Sequence, residues 1–465
     1  MQNDPKSFRC GNNENQSNFL KMSRKVFISF LGFSNYIPVS YIIEDYDQTY
    51  ISGKIKFVQE ATLTHLKDKF EQPSIAYFLV TEGAMKNWND QEEFNLKTGE
   101  REYHEGLHTR LLKLNLPFSI EKVDIPNGKT QDEIWDIFGK IYNLLEEKDV
   151  LYFDVTHSFR TLPMLNMVLI NYGKLLKNIT VGGIYYGAFD AKFEREGETV
   201  APIWNMTTFS ELQDWTIAVN GFINFGSSTM ISQLIKTKIA PTLQQKDLND
   251  NITQARTINL FNNSLSMVTE ALQTNRGKLI VEGKMISTLI KNLESVESTL
   301  LIPAIKPLLK KVQDKIEQFE PKESWKNGFI AVKWCIDHGL IQQGYTMLLE
   351  CIITYLCKQF DLDYTNESQR DKIVKASMFI ISKKIQKKED GWVGISSENA
   401  EKIKEILPHL SQEFCSRFES LSTKRNDINH AGFVNTESPQ NLVHKLKDDF
   451  AFFYEYIIKQ HNETS

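Results

Sequence analysis

The sequence predicts an α/β domain followed by an all-α region. In the first part, short apolar runs at residues 25–31, 74–81 and 150–153 alternate with helix-like segments such as residues 130–145. Alternation of this kind is typical of βαβ units and a parallel sheet. After Trp204 the strand pattern fades, and apolar residues recur every three or four positions, as they do in helices. These two patterns give the predicted fold class, α/β plus all-α.

The first domain is predicted at residues 24–205, with a doubly wound parallel sheet. Its strands are runs rich in apolar and β-branched residues, each ended by polar or small residues. A helix is expected to start near Pro163, directly after one of these strands. Residues 1–23 are rich in Asn, Gln and Ser and are expected to form a disordered extension. The predicted strands are residues 25–31, 74–81, 119–124, 150–153 and 179–188.

Two helical regions are expected after residue 205. Residues 206–327 are predicted to be a helical connector, whose helix at 279–301 is ended by Pro303 and Pro307. Its other helices are expected at 230–235 and 255–272. A charged stretch containing Pro321 marks the expected boundary. Residues 328–465 are predicted to be a separate helical domain with helices at 329–338, 341–360, 372–384, 400–407, 411–424 and 441–459.

Composition and charge limit the classes of function. With 41% hydrophobic and 24% charged residues, the chain has the composition of a folded globular protein. The net charge of −5 argues against a protein that coats nucleic acid through a broadly basic surface. Five scattered cysteines without a CxxC pair fit structural thiols in a reducing compartment. No apolar run approaches the about 20 residues of a membrane helix, so a cytoplasmic protein without a membrane partner is expected.

Polar side chains follow two of the predicted strands and form the first candidate site. Because the carboxyl ends of parallel strands meet at one edge of a sheet, both loops are expected to face one ligand crevice. Their hydroxyl, guanidinium and backbone N–H groups suit phosphate or ribose. Helix capping is the simpler alternative, whereas a hydrolytic triad is disfavoured because its members would be crowded within five residues. The predicted binding residues are Gly32, Phe33, Ser34, Asn35, Tyr36, Asp154, Thr156, His157, Ser158 and Arg160.

The second candidate site is Arg425 and His430 near the C-terminus. On one ideal helix, two residues five apart lie about 140° apart, so a helix end, a loop or a two-fold axis is needed to bring them together. Histidine titrates near neutral pH and can move a proton to or from a ribose oxygen. Arginine can stabilise the developing phosphorane charge, and Asn426 can orient either side chain. A structural role for such a pair at a helix end is the alternative.

A weaker candidate is a metal site at His104 and His108. Histidines four apart share one face of a helix and can hold a metal ion there. However, Gly106 weakens a helix at this position, and Glu105 would point to a different face. No metal or other cofactor is therefore expected.

Three stretches carry a resemblance to a known family. Residues 154–160 (Asp-Val-Thr-His-Ser-Phe-Arg), followed by Leu162 and Pro163, resemble the signature of the CARF domains of CRISPR-associated ancillary proteins. Residues 30–36 (Phe-Leu-Gly-Phe-Ser-Asn-Tyr) are similar to the first strand and loop of that domain. The Arg425 to His430 spacing, preceded by residues 343–350, is similar to the HEPN ribonuclease domain of those proteins.

The resemblance implies a Rossmann-like CARF sensor at residues 24–205 and a HEPN ribonuclease domain at residues 328–465. It further implies a homodimer, with higher oligomers left open, in which cyclic oligoadenylate, expected to be cyclic tetra-adenylate, is the allosteric activator. The implied activity is metal-independent cleavage of single-stranded RNA in type III CRISPR antiviral defence, leaving a 2′,3′-cyclic phosphate. Two alternatives stay open: a CARF sensor without nuclease output, and a ring nuclease that degrades its own activator.

Overall fold

The computed structural model describes residues 23–45, 48–70, 73–95, 100–157, 162–245, 249–297, 306–386, 392, 397–433 and 437–464. The chain is divided into two compact units, and the boundary follows residue 211. The predicted N-terminal extension therefore lies outside the described residues, except for Ser23. Within the described residues, no helix is long and apolar enough to cross a membrane.

A mixed β-sheet forms the centre of the N-terminal unit. Its strand order is β3-β2-β11-β9-β8-β1-β4-β7, with β10 paired to β11, and β5 and β6 form a separate hairpin. The strands are β1 (Lys25–Phe30), β2 (Ser40–Asp45), β3 (Gln48–Ile51), β4 (Ser74–Val80), β5 (Gln91–Asn95), β6 (Glu100–His104), β7 (Ser119–Asp124), β8 (Val150–Asp154), β9 (Thr180–Gly187), β10 (Phe193–Arg195) and β11 (Glu198–Asn205).

The five predicted strands are confirmed, and they form the parallel block β9-β8-β1-β4-β7. The expectation of a purely parallel sheet is wrong. Strand β11 pairs antiparallel with β9, and β2 pairs antiparallel with β3. These additional strands are short or carry charged ends, and β11 contains Pro202, which argues against a strand when only the sequence is considered.

Helices cover both faces of this sheet and close two separate apolar layers. One layer includes Phe27, Phe78 and Tyr185, and the other includes Ile28, Phe153 and Ile184. Neighbouring residues of one strand enter opposite layers because strand side chains alternate between the two faces. The helices of this unit are α1 (Val58–Leu66), α2 (Met85–Trp88), α3 (Leu107–Lys113), α4 (Gln131–Leu144) and α5 (Leu162–Lys177).

The C-terminal unit is built on helices that share one apolar core, from Trp215 to Ile457. This core includes residues on both sides of position 327, so the separate connector and HEPN domain stay a prediction. Helix α6 (Thr207–Phe225) leads into this unit. The others are α7 (Thr229–Leu243), α8 (Asp250–Gln273), α9 (Gly277–Glu282), α10 (Lys284–Glu297), α11 (Lys306–Ile316), α12 (Lys326–Asp337), α13 (Ile341–Gln359), α14 (Glu367–Gln369), α15 (Ala376–Ser382), α16 (Ser397–Ile406), α17 (Gln412–Asn429) and α18 (Pro439–Thr464).

Two details of the predicted helices are wrong. The helix expected at residues 279–301 is broken at Gly283, where φ is +70° and an added Cβ would lie 2.1 Å from the carbonyl oxygen of Lys322. Pro307 does not end a helix but lies in the first turn of α11, a position that proline tolerates.

Of the cysteines, the four in the described residues are buried and free, which agrees with structural thiols. Burial raises the pKa of the Cys335 thiol to about 12.

Candidate functional site

The carboxyl ends of β1 and β8 bring the two predicted loops together. The strands are parallel neighbours, and Ser29 on β1 pairs in register with Asp154 on β8. The Ser29 hydroxyl donates to Asp154 Oδ2 at 2.7 Å. Gln59 of α1 donates to both Ser29 Oγ at 3.3 Å and the Phe30 carbonyl at 3.2 Å. This buried network joins the two strand ends from which the candidate loops start.

Asp154 supports the site from inside the protein. Its side chain is only 1% exposed, and it accepts from the Thr156 N–H at 3.0 Å and the Thr156 hydroxyl at 2.5 Å, in addition to Ser29. Burial raises the pKa of this carboxyl above its ordinary value, and these hydrogen bonds oppose the shift. Asp154 therefore shapes the turn after β8 and does not face a surface crevice.

The Thr156 hydroxyl also makes its hydrogen bonds within the protein. Besides donating to Asp154, its hydroxyl oxygen accepts from the Gly187 N–H at 2.7 Å, at the end of β9. The hydroxyl hydrogen predicted to reach a ligand is therefore given to Asp154 in this structure. Gly187 is closely packed, since an added Cβ would lie 2.6 Å from Val58 Cγ2. Thr156 thus fixes the end of β8 against the end of β9.

Tyr36 and His157 join the two loops. Their rings meet edge to face with centroids 4.7 Å apart, and Tyr36 also packs against Phe57 at 4.8 Å. The Tyr36 hydroxyl oxygen accepts from the Gly32 N–H at 2.8 Å. A Cβ on Gly32 would lie 2.8 Å from that oxygen, so a larger residue cannot enter without displacing Tyr36. Burial lowers the pKa of His157 to about 4, which keeps the imidazole neutral at pH 7.

The rest of the first loop is exposed and is held by a residue that the sequence did not suggest. Phe33, Ser34 and Asn35 are exposed, and Phe33 has 55% of its surface accessible. Asn87 of α2 donates to the carbonyl oxygens of Gly32 and Ser34 at 2.8 and 2.9 Å.

The structure therefore brings together Gly32, Tyr36, Asp154, Thr156 and His157, and it leaves residues 33–35 at the surface beside them. Ser158 and Arg160 lie outside the described residues. Sequence reasoning missed Ser29, Gln59, Asn87 and Gly187. Of these, only Ser29 carries a visible signal, a hydroxyl within an otherwise apolar strand.

Arg425 and His430 lie on either side of the end of α17. The helix ends at Asn429, and the His430 N–H still donates to the Asn426 carbonyl at 2.9 Å. Ala431 and Gly432 follow with φ of +55° and +67°, and the Gly432 N–H donates to the Asp427 carbonyl at 2.9 Å. This left-handed turn is a common way to end a helix. His430 and Asn426 are exposed beside it.

Arg425 lines a cavity of about 310 Å³ between α13, α15 and α17. Glu350, Asp371 and Glu419 also line it. Among the described residues, Arg425 forms no ion pair, and its buried Nε has no hydrogen-bond partner. Arginine donors suit an anion such as phosphate, but of the other charged residues that line this cavity only Lys375 is basic.

The weaker metal candidate is not supported. His104 lies in β6, where its Nε2 is 3.8 Å from Glu102, and His108 lies in α3 with its ring stacked on Trp88 at 5.2 Å. Because the chain leaves the strand at His104 and begins the helix only at Leu107, the two histidines do not share one helix face.

A larger cavity, of about 1110 Å³, lies at the other end of β9, beside Val181 and Gly182. Trp204 and Thr207 line it, and none of the predicted site residues does. Its size therefore adds nothing to the case for either predicted site.

The first site lies in a part of the chain that is similar to a known domain family. Residues 26–190 match the family model described as the CARF domain of the CRISPR system endoribonuclease Csx1. These residues include the strands and loops that form the first site.

A relative extends the similarity beyond that domain. Over 308 residues the chain is 24% identical to a CRISPR-associated protein of Methanocaldococcus jannaschii. The alignment covers 65% of this chain and 44% of the relative, so the chain spans less than half the length of that protein. Together the two similarities support a CARF-containing CRISPR protein, with the CARF domain in the N-terminal unit.

Proposed function

We propose that this protein is a ribonuclease of type III CRISPR defence that cyclic oligoadenylate activates and that cleaves single-stranded RNA. The CARF similarity supports a role as an ancillary CRISPR protein. The description of the matching family model names an endoribonuclease.

One observation carries the nuclease proposal: Arg425 and His430 flank the end of α17. Arg425 has no ion-pair partner among the described residues, and His430 is exposed five residues later, directly after the helix. In two copies related by a two-fold axis, two such pairs can meet at one RNA phosphate.

The proposed chemistry needs only these side chains. His430 of one copy removes the proton from the ribose 2′-OH, and His430 of the second copy gives a proton to the leaving 5′-oxygen. Arg425 stabilises the charge that develops on the phosphorane, an effect worth about 3 to 4 kcal/mol per donor in well-studied enzymes. Attack by the 2′-oxygen on phosphorus breaks the bond to the 5′-oxygen and leaves a 2′,3′-cyclic phosphate. Asn426, exposed one position after Arg425, is proposed to orient the side chain of Arg425 or His430.

The activator is proposed to bind at the loops after β1 and β8. A cyclic oligonucleotide with two-fold symmetry suits two copies of this edge, because each copy offers the same donors to half of the ring. Binding activates only if the ring has higher affinity for the dimer in which the two nuclease sites face the RNA.

The test uses a fluorogenic single-stranded RNA with EDTA present, and with cyclic tetra-adenylate, cyclic hexa-adenylate or no activator. Wild type is expected to cleave only with activator, and His430→Ala is expected to lose about 100-fold or more of the rate while still binding the ring. His104→Ala is the matched control, since it removes a partly exposed histidine from the hairpin of the other unit.

Other outcomes favour the alternative functions. Tight binding of a cyclic oligoadenylate without any RNA cleavage would contradict the proposal and favour a sensor module. Loss of the ring itself during incubation, without RNA cleavage, would favour a ring nuclease. Equal cleavage by wild type and His430→Ala would remove the assigned catalytic pair.

A further inference from the structure

We infer that Asn87 is a positioning residue for the activator loop: its side-chain amide sets the backbone direction of residues 32–35 before the ring binds. The inference rests on the proposed function, because it assigns a role in binding the cyclic oligoadenylate. Asn87 itself lies behind the loop and is not assigned any contact with the ring.

The contacts of Asn87 are unusually well suited to holding a loop. One nitrogen, Nδ2, donates to the Gly32 and Ser34 carbonyls at 2.8 and 2.9 Å, and so grips the chain at two points two residues apart. The side chain is 7% exposed. Trp88, the next residue, anchors the short helix by packing on Phe78 at 5.5 Å.

Tyr36 holds the same loop at its start, because its hydroxyl oxygen accepts from the Gly32 N–H at 2.8 Å. Backbone hydrogen bonds flank the loop, from the Leu31 N–H to the Leu79 carbonyl and from the Val39 N–H to the Ile55 carbonyl. Between these points, the side chains of Tyr36 and Asn87 both bond the loop backbone.

The direction of these bonds determines which way the loop presents its donors. In a trans peptide the C=O and the N–H point in opposite directions. With the Ser34 carbonyl directed at Asn87, the Asn35 N–H on the same peptide points away from it. Asn35 is exposed, so this N–H is directed toward the outer side of the loop. Backbone N–H groups held in this way are ordinary partners for phosphate oxygens.

An isosteric substitution separates the hydrogen bonds from the shape of the side chain. Asn87→Asp keeps the size but replaces the donating nitrogen with an acceptor that faces two carbonyl oxygens. Asn171→Asp is the matched control, because Asn171 makes one such bond, to the Met167 carbonyl at 2.8 Å, within helix α5. Circular dichroism and thermal unfolding of the full-length variants show whether each one folds.

Two measurements test the inference. Calorimetric titration with cyclic tetra-adenylate and cyclic hexa-adenylate is expected to show a dissociation constant raised about ten-fold or more in Asn87→Asp and unchanged in Asn171→Asp. RNA cleavage should need correspondingly more activator for half-maximal rate, with the maximal rate at saturation retained.

The results that would overturn the inference differ from those that would overturn the proposed function. Unchanged activator affinity in Asn87→Asp contradicts the positioning role even if wild type is an activated ribonuclease. A lower maximal rate at saturation would also contradict it, since it would indicate general damage. If wild type binds neither ring, the proposed activation fails and the role assigned to Asn87 fails with it.

Discussion

Replacing His157 with phenylalanine tests whether the centre of the candidate CARF site is held by a neutral, buried imidazole. Phenylalanine keeps an aromatic ring against Tyr36, whose ring centroid lies 4.7 Å from that of His157, but it cannot take up a proton. The wild-type protein should therefore lose stability in mild acid through this residue, and the variant should not.

The sign and size follow from the pKa of His157. Burial lowers this pKa to about 4, whereas an unfolded histidine takes up its proton near pH 6.5. The contribution to stability is therefore complete above about pH 6.5 and is lost as the pH falls toward 4, because the unfolded chain binds the proton first. Between pH 7 and pH 5 the loss is about 2 kcal/mol. Burial raises the pKa of Asp154, which acts in the opposite direction but is common to both proteins.

Scanning calorimetry at pH 7 and pH 5, at matched ionic strength, measures this difference. A loss of about 2 kcal/mol in a unit of this size corresponds to about 4 to 8 °C of extra decrease in melting temperature for wild type. The transition of the N-terminal unit is identified as the one that Thr156→Val also lowers. If the melting temperature fell equally between pH 7 and pH 5 in wild type and His157→Phe, the result would refute the prediction that His157 is neutral and buried.

Two further predictions concern buried polar side chains, both measured by urea unfolding. Thr156→Val removes the donor to Asp154 and the acceptor for the Gly187 N–H, and should destabilise the N-terminal unit by about 2 to 3 kcal/mol, whereas Thr156→Ser should retain most of the stability. Equal stability of the Val and Ser variants would contradict this. Asn327→Ala should destabilise the C-terminal unit by about 2 to 4 kcal/mol, because fully buried Asn327 bonds both the N–H and the carbonyl of Glu320. The control Asn224→Ala, at an exposed position, should cost under about 1 kcal/mol. Similar losses of stability in the two variants would argue against the role of Asn327.

The sequence was sufficient to predict the strands that are buried along their whole length. Strands β1, β4 and β8 are buried on both faces, so each is a continuous apolar run. Strands β2 and β11 end in charged or exposed polar residues near one edge of the sheet, and nothing local separates them from loops. Glycine is a common residue at a helix end, but that Gly283 ends α9 in a left-handed conformation, with the Lys322 carbonyl too close for a Cβ, is seen only in the structure.

For the candidate CARF site, the sequence determined where the polar loops are, because the carboxyl ends of neighbouring parallel strands must share an edge. Only the tertiary structure decided what each side chain does there. The Thr156 hydroxyl oxygen accepts from the Gly187 N–H, 31 residues later, and the first loop is bonded by Asn87, which lies more than 50 residues further along the chain. Hydrogen-bond partners distant in sequence leave no periodic signal, so roles set by such partners become visible only in the folded chain.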